Sequence, residues 1–147
     1  MPRLWLAALG ALAVVACGDD TATGGPTDLF PDVAGAYVIQ GEFDAFSPEV
    51  AFFTGTVTIE QASLETSILG GTADITVTVQ GESQAINDAD LQDASVTLAG
   101  EVEFTVLSPA QNVTWTFSGE RAGDLLEGRH TLTLGSESQP GDWSGER

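Results

Sequence analysis

Lysine is missing from this chain altogether, and cysteine, histidine and methionine occur once each. Four basic residues face 22 acidic ones, for a formal net charge of −18. Those numbers exclude nucleic acid as a natural partner, because phosphate binding needs a basic footprint. Long-range attraction to anionic lipid headgroups is excluded for the same reason. One Cys and one His cannot build a zinc site of several such ligands, and one Cys cannot form an internal disulfide. No apolar run reaches the ~20 residues that span a bilayer as a helix. What is present is 42% apolar residues in a chain of 147, enough for one packed domain despite the charge.

Met1-Pro2-Arg3 gives a short positive start, and an apolar run follows from Leu4 to Ala16. A positive start and a short apolar run read as a secretory signal peptide. The run ends Val14-Val15-Ala16-Cys17. These four residues resemble the lipobox of bacterial lipoproteins: an aliphatic residue, a tolerant position, a small residue, then Cys. The resemblance implies that residues 1–16 are a lipoprotein signal peptide cut by signal peptidase II. It implies a diacylglyceryl group on the Cys17 thiol and acylation of the new amino group, with palmitate as the expected chain. Each buried CH₂ contributes ~0.8 kcal/mol, so two or three chains hold where one does not. The implied partner is the membrane, through the N-terminal lipid, and the implied location is the bacterial cell envelope. In two-membrane hosts, Asp directly after the lipidated Cys goes with inner-membrane retention. Gly18 stands there, which favours the outer membrane.

Residues 17–32 then read as lipidated Cys and flexible tether. Gly18 to Asp32 is rich in Gly, Pro, Thr and Asp and lacks any period. Such a segment reaches roughly 20 Å. The alternative is an arm packed on the domain through Leu29 and Phe30.

From Val33 to Arg147 the period is two, which predicts strands. Residues 36–43, 51–60, 72–80, 112–120 and 125–134 each alternate apolar with polar, and Thr is the usual outward residue. Residues 94–107 keep one parity from Val96 to Val106, which predicts one long strand bent at Gly100. Segments 64–70 and 84–92 fit either a short strand or a loop. Arg121 to Asp124 supplies a hairpin turn. One wet and one packed face make the sheet antiparallel. Inward glycines at 41, 55, 100, 119 and 128 let a sheet bend sharply. The expectation is an all-β domain, an antiparallel up-and-down barrel of about seven or eight strands, with a β-sandwich as the alternative.

Trp115-Thr-Phe-Ser-Gly-Glu-Arg-Ala-Gly-Asp-Leu-Leu-Glu-Gly128 reads as strand, Gly, turn, Asp, Leu, Gly, strand, and the chain closes on Gly141-Asp142-Trp143-Ser-Gly-Glu-Arg147. Together these segments resemble small lipocalin-like or avidin-like barrel proteins of bacterial envelopes, over residues 33–147. In such chains a Gly-x-Trp near one end marks the barrel closure, with an Arg packing on the Trp. Lipocalins carry Gly-x-Trp near the N-terminus, where this chain has Gly35-Ala36-Tyr37.

Tyr37, Trp115, Phe117, His130 and Trp143 are the candidate cavity-lining residues for a small apolar ligand; the alternative is plain core filling. His130 shares the parity of Leu132 and Leu134, where a polar ring more often finds partners than acts as a base. Asp88, Asp90 and Asp93 form, with Asn87, the densest oxygen cluster. Asp93 stands sixth, where a calcium loop needs Gly, and Ala99 stands twelfth, where it needs Glu, so the cluster reads as a solvated loop rather than a metal site. Glu60, Glu65, Glu101, Glu103, Glu120 and Glu127 fall mostly on the polar parity, away from any shared cleft. No catalytic constellation is found, and no cofactor is expected. The reading is a lipid-anchored, non-enzymatic barrel that binds a small apolar ligand or plays a structural part. The alternatives are an envelope hydrolase, or an acidic module for basic protein partners or cations.

Overall fold

A computed structural model describes residues 28–147. The signal peptide, Cys17 and most of the tether lie outside the described residues. Eight strands form: β1 (Gly35–Glu42), β2 (Ala51–Glu60), β3 (Gly70–Val79), β4 (Glu82–Val96), β5 (Glu101–Ser108), β6 (Val113–Ala122), β7 (Leu125–Leu134) and β8 (Glu137–Glu146). They pair in sequence order as one closed antiparallel barrel. Closure is made by β8, which pairs with β7 along its whole length and with β1 through Val38–Gly41 against Trp143–Glu146. Of barrel and sandwich, the barrel forms, each strand pairing with the next and β8 with β1.

One expectation is corrected. Residues 94–107 are two strands, the end of β4 and β5, joined by a turn at Thr97–Gly100. Gly100 donates its N–H to Thr97 O at 3.0 Å and has φ +92°, which favours glycine. The ladder sets Val96 opposite Val102. Residues of equal parity face each other in that register, so the alternation runs through the turn unbroken and hides it.

The ambiguous segment 84–92 lies inside β4, and the reason it resisted reading is visible in the backbone. Asp88 and Asp93 have positive φ, 49° and 50°. The register shifts beside each, between Ala73 and Ile75 on one flank and between Gln92 and Ser95 on the other. These are β-bulges, and each flips the inward parity. The inward set runs Ile86, then Ala89 and Leu91, then Ala94 and Val96. Asp74 Oδ1 accepts the Asp88 N–H at 2.8 Å and supports the first bulge. Segment 64–70 runs beside β4 through a single bridge, Ile68 to Ser95, and Leu69 donates to Ala94 O.

The barrel interior is filled. Trp115, Tyr37, Phe53, Phe104 and Phe117 head the fully buried side chains. Aromatic bulk is accommodated by glycine across the ladder. Gly128 sits between Trp143 and Gly119 in adjoining ladders. A Cβ on Gly119 would come 2.9 Å from the Trp143 ring. The indole covers this bare backbone and donates Nε1–H to Ser118 O at 3.0 Å.

The two ends of the barrel differ. One end is covered by residues 28–34 and the 61–69 loop. Phe30 donates to Leu64 O at 2.7 Å and packs on the core, and Val33 is fully buried. The Tyr37 hydroxyl donates to Val33 O at 3.0 Å. Arg147 donates to Ala34 O at 2.7 Å and to Asp124, fastening the chain's last residue to both. Phe30 thus packs on the barrel, while Leu29 is exposed. The other end carries the 43–50 loop, the β3–β4 and β7–β8 turns, and a 3-10 turn at Pro109–Gln111.

Candidate functional site

Of the five residues predicted to line a cavity, four gather in one aromatic cluster. Trp115, Phe117 and His130 lie on β6 and β7, with Phe117 and His130 paired across the ladder. Their ring centroids are 5.2–5.9 Å apart, and Trp143 meets Phe117 edge-on at 5.4 Å. Phe53 completes the packing at 4.7 Å from Trp115 and 4.9 Å from His130. Phe43, the first residue past β1, folds its ring over His130 at 5.1 Å. Tyr37 stands apart, at the closed end. These rings pack against one another, and Trp143 also borders the depression on the outer wall.

His130 is 1% exposed and, among the described residues, is the one buried polar or charged side chain besides the Tyr37 hydroxyl. Both ring nitrogens are used. Trp115 Nε1–H donates to Nδ1 at 3.0 Å, and Nε2 lies 2.7 Å from Glu42 O. An indole can only donate, and a carbonyl can only accept. The ring is therefore neutral, with its proton on Nε2. Burial pushes its pKa below the ordinary 6.5, partly offset by the Glu42 carbonyl. With both nitrogens engaged, this ring joins β7 to the end of β1. Gly141 makes the junction possible, since a Cβ there would run into Glu42 O and meet His130 Nε2 at 2.6 Å.

The concavity suited to a ligand lies beyond this cluster, at the open end. It encloses about 700 Å³ and is lined by Val77, Val79, Ile86, Val113, Leu132 and Leu134. Their spacing follows the pleat: each pair two apart on one strand points to the same face. Val79 and Leu134 form the rim, 40% and 47% exposed, while Ile86, Val113 and Leu132 are buried at the base. Gln80, Glu82, Ser83, Gln84 and Gln111 add polar groups. Six apolar and five polar residues thus share the lining, an amphiphilic mouth with its buried apolar residues at the base.

One side of this mouth is held by a single side chain. The β4–β5 ladder starts only at Leu91 and Val106, so the first half of β4 has no partner on that side. Gln111, on the 3-10 turn, donates Nε2–H to Ala85 O at 3.2 Å across the gap. Ser108 Oγ donates to Gln111 Oε1 at 2.9 Å and fixes the amide.

The acidic residues stay outside. A second depression of about 1200 Å³ lies on the outer wall, bordered by Glu101, Glu103, Glu120 and Glu127. Glu101, Glu120 and Glu127 are neighbours in adjoining ladders, an arrangement of like charges that destabilises a sheet. Arg129 is held on the outer wall by Asp44 and by Asp142 at 2.7 Å. Those hydrogen bonds raise its pKa above the ordinary guanidinium range. Asp88, Asp90 and Asp93 are exposed along β4, the first and last at its bulges. Among the described residues, no group of three or more His, Cys, Asp or Glu is placed to hold a metal ion.

The mouth residues were not singled out from the sequence, although Val77, Val79, Leu132 and Leu134 carry the inward parity. Parity says which face a residue takes. It does not say that four strand ends converge on one opening.

Among known protein families, curated proteins and solved structures, none matches this chain. The site therefore rests on its own geometry.

Proposed function

We propose that this protein is a lipid-anchored, non-enzymatic barrel of the bacterial envelope that binds a small apolar molecule in its open mouth, in the manner of a lipocalin-like protein. The observation that carries the reading is the apolar concavity bounded by Val77, Val79, Ile86, Val113, Leu132 and Leu134, set above a fully packed interior. A filled barrel has no internal chamber to offer, so the ligand is held at the end rather than swallowed. Burial of apolar surface supplies the affinity at ~25 cal/mol per Å² before the costs of association. The non-enzymatic part is supported by His130, whose two nitrogens already have partners. The anchor rests on the lipobox-like Val14-Val15-Ala16-Cys17.

Photolabelling tests the ligand site. The full-length protein, in membranes of the expressing cell, is exposed to an uncharged C12 alkyl diazirine. It is then digested after its many carboxylates and mapped by mass spectrometry. The reading expects adducts concentrated on residues 77–86, 111–113 and 132–134. Adducts spread evenly over the outer wall, with none at the mouth, would refute it. Globomycin tests the anchor: uncleaved precursor should accumulate, and normal processing in its presence would remove the lipobox from the account.

A further inference from the structure

We infer that the mouth selects its ligand by charge: it takes an amphiphile with an uncharged or cationic head and turns away those with a carboxylate or phosphate head. This rests on the proposed ligand site and adds the chemical class that the site accepts.

The walls of the mouth are aliphatic, so they read a hydrocarbon tail without regard to its head. The polar groups around them are three Gln, one Ser and one Glu. Gln111 is tied to Ala85 O and Ser108, and Ser83 bonds Thr78, which leaves the Gln80 and Gln84 amides to donate to and accept from hydroxyl, amide or sugar heads. None of them can neutralise an anion. Sites for carboxylate or phosphate heads rely on Arg or Lys, which supply charge and paired donors.

Among the described residues, the cations are all elsewhere. Lysine is absent. Arg129 is on the outer wall of β7, engaged with Asp44 and Asp142. Arg147 is fastened at the closed end to Asp124 and Ala34. Arg121 is at that end too, where its Nε–H donates to Gly123 O at 2.8 Å. The one formal charge in the mouth is Glu82. An anionic head would meet that carboxylate within a chain of net charge −18. A cationic head gains from both.

The test uses three C12 diazirines that share a tail and differ in the head: hydroxyl, trimethylammonium and carboxylate. Each labels the full-length protein in membranes, and labelling of the mouth peptides is normalised to labelling of bulk lipid. The inference expects the hydroxyl and trimethylammonium probes to label the mouth, with the carboxylate lower by about tenfold, the ratio that ~1.4 kcal/mol sets. Gln84→Arg places a cation at an exposed position of the lining. It should raise carboxylate labelling severalfold and lower that of trimethylammonium, and the ratio of the two is the readout. Glu82→Gln should narrow the gap between the two charged probes without an added cation. Equal labelling by carboxylate and hydroxyl probes would overturn the inference and leave the ligand site intact. Absence of mouth labelling by all three would overturn both.

Discussion

Replacing His130 with Phe separates hydrogen bonding from packing at the centre of the barrel. A phenyl ring is somewhat larger than imidazole, so no cavity is left and the packing change is a mild overfilling. Two groups lose their partner: buried Trp115 Nε1–H, now 3.0 Å from Nδ1, and half-buried Glu42 O, now 2.7 Å from Nε2. An orphaned buried polar group costs about 1–3 kcal/mol, so Trp115 sets the main cost and Glu42 O adds less. A domain of this size holds about 5–15 kcal/mol in total, so the loss is large. Urea unfolding followed by tryptophan fluorescence measures it, as a lower midpoint at an unchanged slope.

The same comparison has a pH signature. The folded-state pKa of His130 lies below 6.5 chiefly through desolvation, with nearby Arg129 lowering it and Glu42 O, Asp44 and Asp142 opposing. Between that value and about 6.5, the unfolded chain binds a proton that the folded chain does not. Stability therefore rises with pH across this window. The contribution of His130 is complete above about pH 6.5 and is lost as pH falls through the folded-state pKa. His130→Phe lacks this term, and the carboxylates titrate in both proteins. The advantage of the native protein should shrink as pH falls below 6.5. Equal stability of the two proteins at pH 7.5, or a difference that stays constant down to pH 4.5, would refute the neutral, doubly bonded ring.

Other outcomes follow from the same geometry. Gly141→Ala drives a methyl group at Glu42 O and His130 Nε2, and should cost about 3 kcal/mol or more in urea unfolding because backbone must move to admit it. Glu120→Gln removes the middle charge of the Glu101–Glu120–Glu127 row and should raise the urea midpoint, more at low salt than at high. Gln111→Ala cuts the tie to Ala85 O, and backbone amides of residues 83–86 should exchange hydrogen faster while those of β6 and β7 do not change. Cys17→Ser should abolish incorporation of an alkyne-tagged fatty acid into the protein and shift it out of the membrane fraction.

Alternation alone placed most of the strands, because one face of each is packed and the other wet. It did so for β1, β2, β3, β6 and β7. It failed where backbone events change or preserve parity without leaving a mark in residue type. The bulges at Asp88 and Asp93 broke the pattern of β4 in two places, and aspartate there looked like loop or ligand chemistry. The turn at Thr97–Gly100 preserved parity and so was invisible. Pro140 and Gly141 blurred the alternation of β8, the strand that closes the barrel.

By itself, the sequence determined that the domain is all-β, that its inner face is aromatic and that its charges stay outside, since residue chemistry and a period of two are local properties. Tertiary structure alone decided that the sheet closes, that the Trp and Phe rings consume the interior, and that His130 spends both nitrogens on Trp115 and Glu42. It alone decided that the apolar opening sits at one end. Those outcomes depend on register and on which strand ends meet, and register is a relation between distant segments that no single stretch of sequence carries.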